Sequence, residues 1–207
     1  MLALLQSQAS LHTERLAHVL PDRDITYRRL WSRIERGSAR LQGEWGVRPG
    51  DTVAYVGAGH PDAIVLYFSL LRIGASLLPL EGVAPAVVAV QCARHRVVLA
   101  VHDDGVDVHG VPARRLEDLL AVWCHYDPLI ADDDATRRAL WLPATDGQWQ
   151  AISLTELCED VPPEPTATAV GHKIFNLETL REVVLPSLRA AIQIRFVAHA
   201  PAWKTGS

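Results

Sequence analysis

Three groups of residues in this chain have the types that chemistry needs. Ser153, Asp160 and His172 supply a nucleophile, an acid and a base, the set used in acyl transfer. No Gly-x-Ser-x-Gly turn surrounds any serine, so no local motif presents the Ser153 hydroxyl as a nucleophile elbow does. Cys92-x-x-His95 and Cys124-His125 offer donors for zinc. The first pair falls in a helix-like stretch and the second is consecutive in sequence. Two such pairs converge poorly on one tetrahedral ion, so no metal is expected. Gly57-Ala58-Gly59-His60 sits between a strand-like and a helix-like run, as a dinucleotide-binding turn does. Asp62, however, stands where the third glycine of Gly-x-Gly-x-x-Gly belongs.

Charge and composition narrow the classes further. The 207 residues carry 24 acidic and 20 basic side chains, a formal net charge of -4, and the basic ones are scattered through helical stretches. A nucleic-acid surface gathers its cations on one face, so no nucleic-acid partner is expected. The apolar share of 49% is enough for a substantial core. The longest apolar runs, such as Ile64-Val65-Leu66-Tyr67-Phe68, stop well short of a membrane span. Met1-Leu2-Ala3-Leu4-Leu5 lacks the basic flank and cleavage site of a signal peptide. A cytoplasmic location is expected, and the three widely spaced cysteines, Cys92, Cys124 and Cys158, are read as reduced thiols.

The elements that must position these residues follow from periodicity and punctuation. Leu11, Leu16, Val19 and Leu20 predict a short helix over residues 10 to 20, and Ile25-Thr26-Tyr27 a brief extended piece. Leu30, Ile34, Ala39 and Leu41 mark an amphipathic helix that ends near Gly43. Thr52 to Val56, Asp62 to Ile73 and Ser76 to Leu80 form a strand, helix, strand unit, for which a right-handed parallel crossover is expected. Pro85 to His95 repeats the helix and Val97 to His102 the strand. The fold class is α/β, a mainly parallel sheet with helices on both faces.

Beyond residue 103 the pattern is less regular. Val106 to Val111 reads as a strand, Arg115 to Trp123 as a helix, and Asp132-Asp133-Asp134 as a solvated loop. Ala139 to Leu142 and Gln150 to Ile152 flank a polar turn, a strand-loop-strand signature. Ser153-x-x-Glu156 is a capping box. Val161-Pro162-Pro163-Glu164-Pro165-Thr166 reads as a stiff linker, dividing a domain of residues 1–160 from an extension of residues 161–207 that packs on it. In that extension Leu177 to Ile192 is helical, with a kink or split demanded by Pro186, and Ile194 to Ala198 is a last strand.

Asp24-Ile25-Thr26-Tyr27-Arg28-Arg29-Leu30, Arg40-Leu41, Gly46-Val47-Arg48-Pro49-Gly50-Asp51-Thr52-Val53-Ala54 and Tyr67 to Leu80 keep one joint register over some 60 residues. That register resembles the N-terminal subdomain of the adenylate-forming superfamily, the AMP-dependent acyl-CoA and aryl-CoA synthetases. The resemblance implies the α/β fold above. It also places a phosphate loop, T-S-G-T-T-G-x-P-K-G-V in the family, on Leu142 to Ile152, with Thr145, Gly147 and Ile152 as the matches. Such a loop needs backbone N–H groups close to phosphate, hydroxyl donors and a lysine. Here Pro143 removes an N–H, Asp146 adds a negative charge and Gln150 replaces the lysine, so Thr145, Asp146, Gly147 and Gln150 mark a degenerate phosphate-loop position. Trp149 in that turn is a candidate contact residue.

The resemblance also implies later motifs, including a ribose-binding aspartate and a C-terminal lysine, for which this sequence offers no counterpart. The expectation is a catalytically silent acyl-CoA synthetase-like protein that serves as a binding or assembly subunit. No catalytic residue and no cofactor is assigned; ATP and magnesium enter only if a ligase activity holds. A homo-oligomer, or a protein partner covering faces that the rest of a ligase covers, is expected. The alternative is a split or docking component of an acyl- or aryl-activating, AMP-forming ligase. A third reading is a ligand-sensing module without chemistry.

Overall fold

The computed structural model describes residues 1–20, 22–103, 108–121, 125–132, 137–144, 148–170 and 174–197. The chain begins with α1 (Leu2–Leu11), β1 (Leu16–Val19) and β2 (Asp24–Thr26). In α2 (Tyr27–Gly43), the Thr26 side chain accepts the N–H of Arg29 to start the helix, and Leu30, Ile34 and Leu41 form its buried stripe. Then come β3 (Thr52–Gly57), α3 (Ala63–Ile73), β4 (Ser76–Glu81), α4 (Pro85–Arg94) and β5 (Leu99–His102). Gly74 closes α3 in the left-handed region at φ 82°, where a Cβ is disfavoured, and Pro85 opens α4 in its first turn. The remaining elements are β6 (Ala113–Arg115), α5 (Asp118–Ala121), β7 (Arg138–Pro143), β8 (Trp149–Ser153), α6 (Leu154–Cys158), β9 (Ala169–Val170), α7 (Leu177–Thr179), a π-helical turn (Leu180–Val184), α8 (Leu185–Ala190) and β10 (Ile194–Phe196).

Two sheets result. The larger has the strand order β6-β5-β3-β4-β7-β8, parallel except for β8, and the smaller has β2-β1-β10-β9. Alternation along the parallel strands divides the core. Val53, Tyr55, Leu77, Leu99 and Val101 join α2 and α3 in the main cluster, while Ala54, Val56, Leu78, Leu80 and Ala100 meet α4 on the other face. Helices on both faces of a mostly parallel sheet are the α/β architecture expected. Among the described residues no helix is long and apolar enough to cross a membrane.

Three elements differ from the local reading. Residues 16–19 form a strand because they have partners on both sides, β2 antiparallel and β10 parallel, with His18 opposite Ile194. A partner so far away in sequence leaves no local signature. The strand expected over 106–111 forms instead at Ala113–Arg115, while Val108 and Val111 pack against the smaller core. Residues 104–107 lie outside the described residues. The helix expected from Arg115 is described only at Asp118–Ala121.

Pro186 has the consequence its chemistry requires. Without an N–H it cannot bond the carbonyl of Glu182 four residues earlier, and the helix passes through the π-helical turn just before α8. The freed Glu182 oxygen accepts the backbone N–H of Thr166 at 2.9 Å. Ser153 forms both halves of its capping box: its side chain accepts the Glu156 N–H, and Glu156 accepts the Ser153 N–H at 2.8 Å. Ser153→Ala is expected to lower Tm by about 3 °C, read by differential scanning calorimetry.

Candidate functional site

The place to look for a site is set by topology. β3 and β4 are adjacent and parallel, but β3 leads into α3 on one face and β4 into α4 on the other. Loops that leave neighbouring strands toward opposite faces diverge at the carboxyl edge of the sheet, where open α/β proteins bind ligands. That edge carries residues 58–62 after β3, Glu81 at the end of β4, Asp103 after β5, and the β7–β8 hairpin.

The 58–62 loop is satisfied from within. Tyr55, fully buried, donates its hydroxyl to the Asp103 carboxylate at 2.9 Å, and that hydroxyl accepts the His60 N–H at 2.8 Å. Asp103 also accepts the Ala58 N–H at 2.9 Å, and Nδ1 of His60 accepts the Asp62 N–H at 3.1 Å. The amides that a dinucleotide turn presents to pyrophosphate are thus bonded to Asp103, Tyr55 and His60. Gly57 is required by close approach: a Cβ there would collide with the Asp103 carboxylate and the Tyr55 hydroxyl. Burial, and then the Asp103 charge, push the Tyr55 hydroxyl far above its ordinary range, so it remains a donor.

Charge along this edge is acidic at two points. Glu81 accepts the Phe175 N–H through Oε2 at 3.2 Å, and Asp103 is held as above. Asp62, at the start of α3, meets Arg33 at 2.5 Å and Arg23 at 3.0 Å. Burial raises its carboxyl pKa, but Arg33, His60 and Arg23 together outweigh burial and hold it below the ordinary value.

The β7–β8 hairpin falls where the sequence places a strand-loop-strand. The Ala144 N–H donates to Gln148 O at 2.7 Å, which closes it, and Leu142 faces Gln150. Thr145, Asp146 and Gly147 lie outside the described residues. Gln150 is exposed on β8, and Pro143 sits opposite Trp149. By the alternation of an antiparallel ladder, 144/148 and 142/150 are bonded pairs and 143/149 is not, so Pro143 costs the hairpin no bond. Trp149 is half-buried rather than bare: it packs against the smaller core, with its ring 6.5 Å from that of His95. His95 stacks edge-on against Trp141 at 4.3 Å, Arg138 lies 4.8 Å over Trp141, and Arg94 bonds Gln148 at 2.5 Å. Burial, then Arg94 and Arg138, lower the His95 pKa, which favours a neutral ring.

The other candidates are dispersed. Cys92 lies in the smaller core, its thiol pKa raised by burial; Cys124 is outside the described residues, and no group of three metal-ligand side chains occurs among those described. The Ser153 hydroxyl is committed to Glu156, Asp160 is exposed at φ 52°, and His172 lies outside the described residues. A groove of about 260 Å³ lined by Arg15, Leu16, Ala191, Ile192 and Gln193 belongs to the smaller sheet and shares no residue with the carboxyl edge. The Tyr55–Asp103 pair was missed from sequence because its members stand 48 residues apart. A polar residue directly after a buried strand is the signal that finds Asp103.

The match in sequence, more than the doubly wound sheet with a strand-loop-strand at its carboxyl edge, makes this chain an adenylate-forming ligase-like protein. Residues 5–170 match the family described as AMP-binding enzyme, and the chain belongs to that family. It is 40% identical over 83 residues to phosphinothricin tripeptide synthetase PhsC of Streptomyces viridochromogenes, covering 40% of this chain and 8% of that protein. It is 39% identical over 61 residues to carboxylic acid reductase of Mycobacterium tuberculosis, 30% of this chain and 5% of that one. The fold is shared with unliganded O-succinylbenzoate coenzyme A synthetase of Bacillus subtilis, with a TM-score of 0.80 at 14% identity over 93% of this chain and 43% of that chain. It is also shared with the N-terminal subdomain of Klebsiella oxytoca NpsA, with a TM-score of 0.79 at 18% identity over 99% and 54%. The matched segments span less than a tenth of the length of these two sequence relatives, and the chain covers about half of each solved structure.

Proposed function

We propose that this domain is a catalytically silent member of its family that acts as a binding or assembly unit. The observation that carries this reading is Gln150: it stands on β8 at the position the family resemblance gives to the phosphate-loop lysine. An amide there neutralises no phosphate charge, and Asp146 in the same turn adds a charge of the wrong sign. Glu81 and Asp103 on the neighbouring strand ends are acidic as well. Trp149, at the position of the family's proline, packs toward His95. Without a competent loop, a role through surfaces is the economical reading, as a homo-oligomer or with a protein partner.

Calorimetric titration with Mg-ATP and then AMP tests this. No heat is expected with either; a Kd near 1 μM, about -8 kcal/mol, would refute the silent reading. A second reading is favoured by the retained family register over residues 5–170 and by likeness to a tripeptide synthetase and a carboxylic acid reductase. In it, the domain is one part of an acyl- or aryl-activating ligase and forms adenylate only once another polypeptide supplies the remaining groups.

A further inference from the structure

We propose that β8 is a self-pairing edge, and that two copies of this chain join through it into one continuous sheet. The proposal rests on the assembly reading above and names its surface. Among the described residues the two sheets have four edge strands, β6 and β8 on the larger, β2 and β9 on the smaller. Exposed edges recruit foreign strands unless they are short, charged or interrupted. β6 carries Arg114 and Arg115, β2 starts at Asp24, and β9 is two residues long. β8 has none of these protections: Trp149-Gln150-Ala151-Ile152-Ser153 is five residues long with no charge and no proline.

The ladder fixes which groups the edge offers. The Ala144–Gln148 bond sets Gln150 and Ile152 toward β7. Trp149 and Ala151 therefore direct their N–H and C=O groups away from β7. An antiparallel pair centred on Ala151 brings its N–H to the C=O of Ala151 in the second copy, and Trp149 opposite Ser153. The Ser153 N–H is engaged by Glu156 and its carbonyl, at the N-cap of α6, serves the first turn of that helix, so the two reciprocal Ala151 bonds carry the joint. Because the strand has no charge, a second copy brings no like-charge repulsion, and an exposed alanine at the centre admits close approach. On the α4 side of the sheet, Trp141 is opposite Ala151 within one chain, so the joint would bring the Trp141 and Trp149 faces of both copies side by side.

Sedimentation velocity up to about 100 μM tests the proposal, since mass action favours the dimer as concentration rises. The expected result is a species of twice 22.8 kDa. Ala151→Pro removes an N–H that β7 does not use, so it should give a monomer with an unchanged far-UV spectrum and Tm. Ala151→Lys, with its side chain in solvent, should do the same and decides the matter if the proline variant fails to fold. A monomeric wild type, or a dimer that survives Ala151→Lys, would overturn the proposal. The calorimetry is independent: nucleotide binding by a dimer removes only the silent reading, and a monomer that binds no nucleotide removes only this one.

Discussion

Lowering the pH from 7 to 4 is expected to remove about 3 kcal/mol of stability through one side chain, His18. It lies on β1, 1% exposed, with its ring 5.2 Å edge-on to Phe196 and no partner for Nε2 among the described residues. Burial pushes its pKa down to about 4; Asp62 draws it upward and Arg33 opposes that. In the unfolded chain the same imidazole titrates near its ordinary 6.5. Between these values the unfolded state holds more protons, so stability rises with pH in that window. The contribution is complete above about 6.5, is lost as pH falls toward 4, and is flat below. Asp62 acts in the same direction, but only below the ordinary carboxylate value, because its carboxyl is depressed. Urea midpoints between pH 7 and 4 read the effect. His18→Leu, which keeps an apolar side chain in that space, should flatten this part of the curve. An equal slope in the variant would assign the acid sensitivity elsewhere.

The parts of this fold that could be read from sequence are those whose causes are local. β3, α3, β4, α4 and β5 are each a continuous apolar run closed by a residue with one structural meaning, such as Gly74 in the left-handed region or Pro85 at a helix start. What could not be read depended on distance. Leu16–Val19 has apolar spacing compatible with a helix, and β10 makes it part of a sheet from more than 170 residues away. The split at Pro186 was foreseeable; that Thr166 would take over the Glu182 carbonyl was not. The hairpin was legible because it is a local motif and its departures are single substitutions, Pro143 and Gln150. The bonds of Tyr55, Ala58 and His60 around Asp103 were hidden, since they join the ends of two strands that are neighbours only in space.

Asp103→Ala is expected to cost about 2 kcal/mol and to loosen the loop that follows β3. One carboxylate receives two donors, the Tyr55 hydroxyl and the Ala58 N–H. Its removal leaves the hydroxyl of a fully buried tyrosine without an acceptor, and bonds to a charged group are worth more than neutral ones. The estimate stays near the middle of the usual range because Asp103 itself is half-buried and water can reach part of the vacated space. Tyr55→Phe removes the same bond from the other side and also deprives the His60 N–H of its acceptor, so its cost should be similar. The two changes share one interaction, and the double variant should be less destabilised than the sum of the singles by about 1 kcal/mol. Amide exchange at Ala58 and His60 should rise by more than tenfold in Asp103→Ala, while exchange in α2 rises only with global stability. Additive single variants, or a loop whose amides stay protected, would mean that the loop is held by packing around Gly57 and not by this carboxylate. If the loop does open, the amides of Ala58 and His60 are released to solvent. A gain of phosphate or nucleotide affinity in Asp103→Ala would then identify Asp103 as the group that closes this edge to anions.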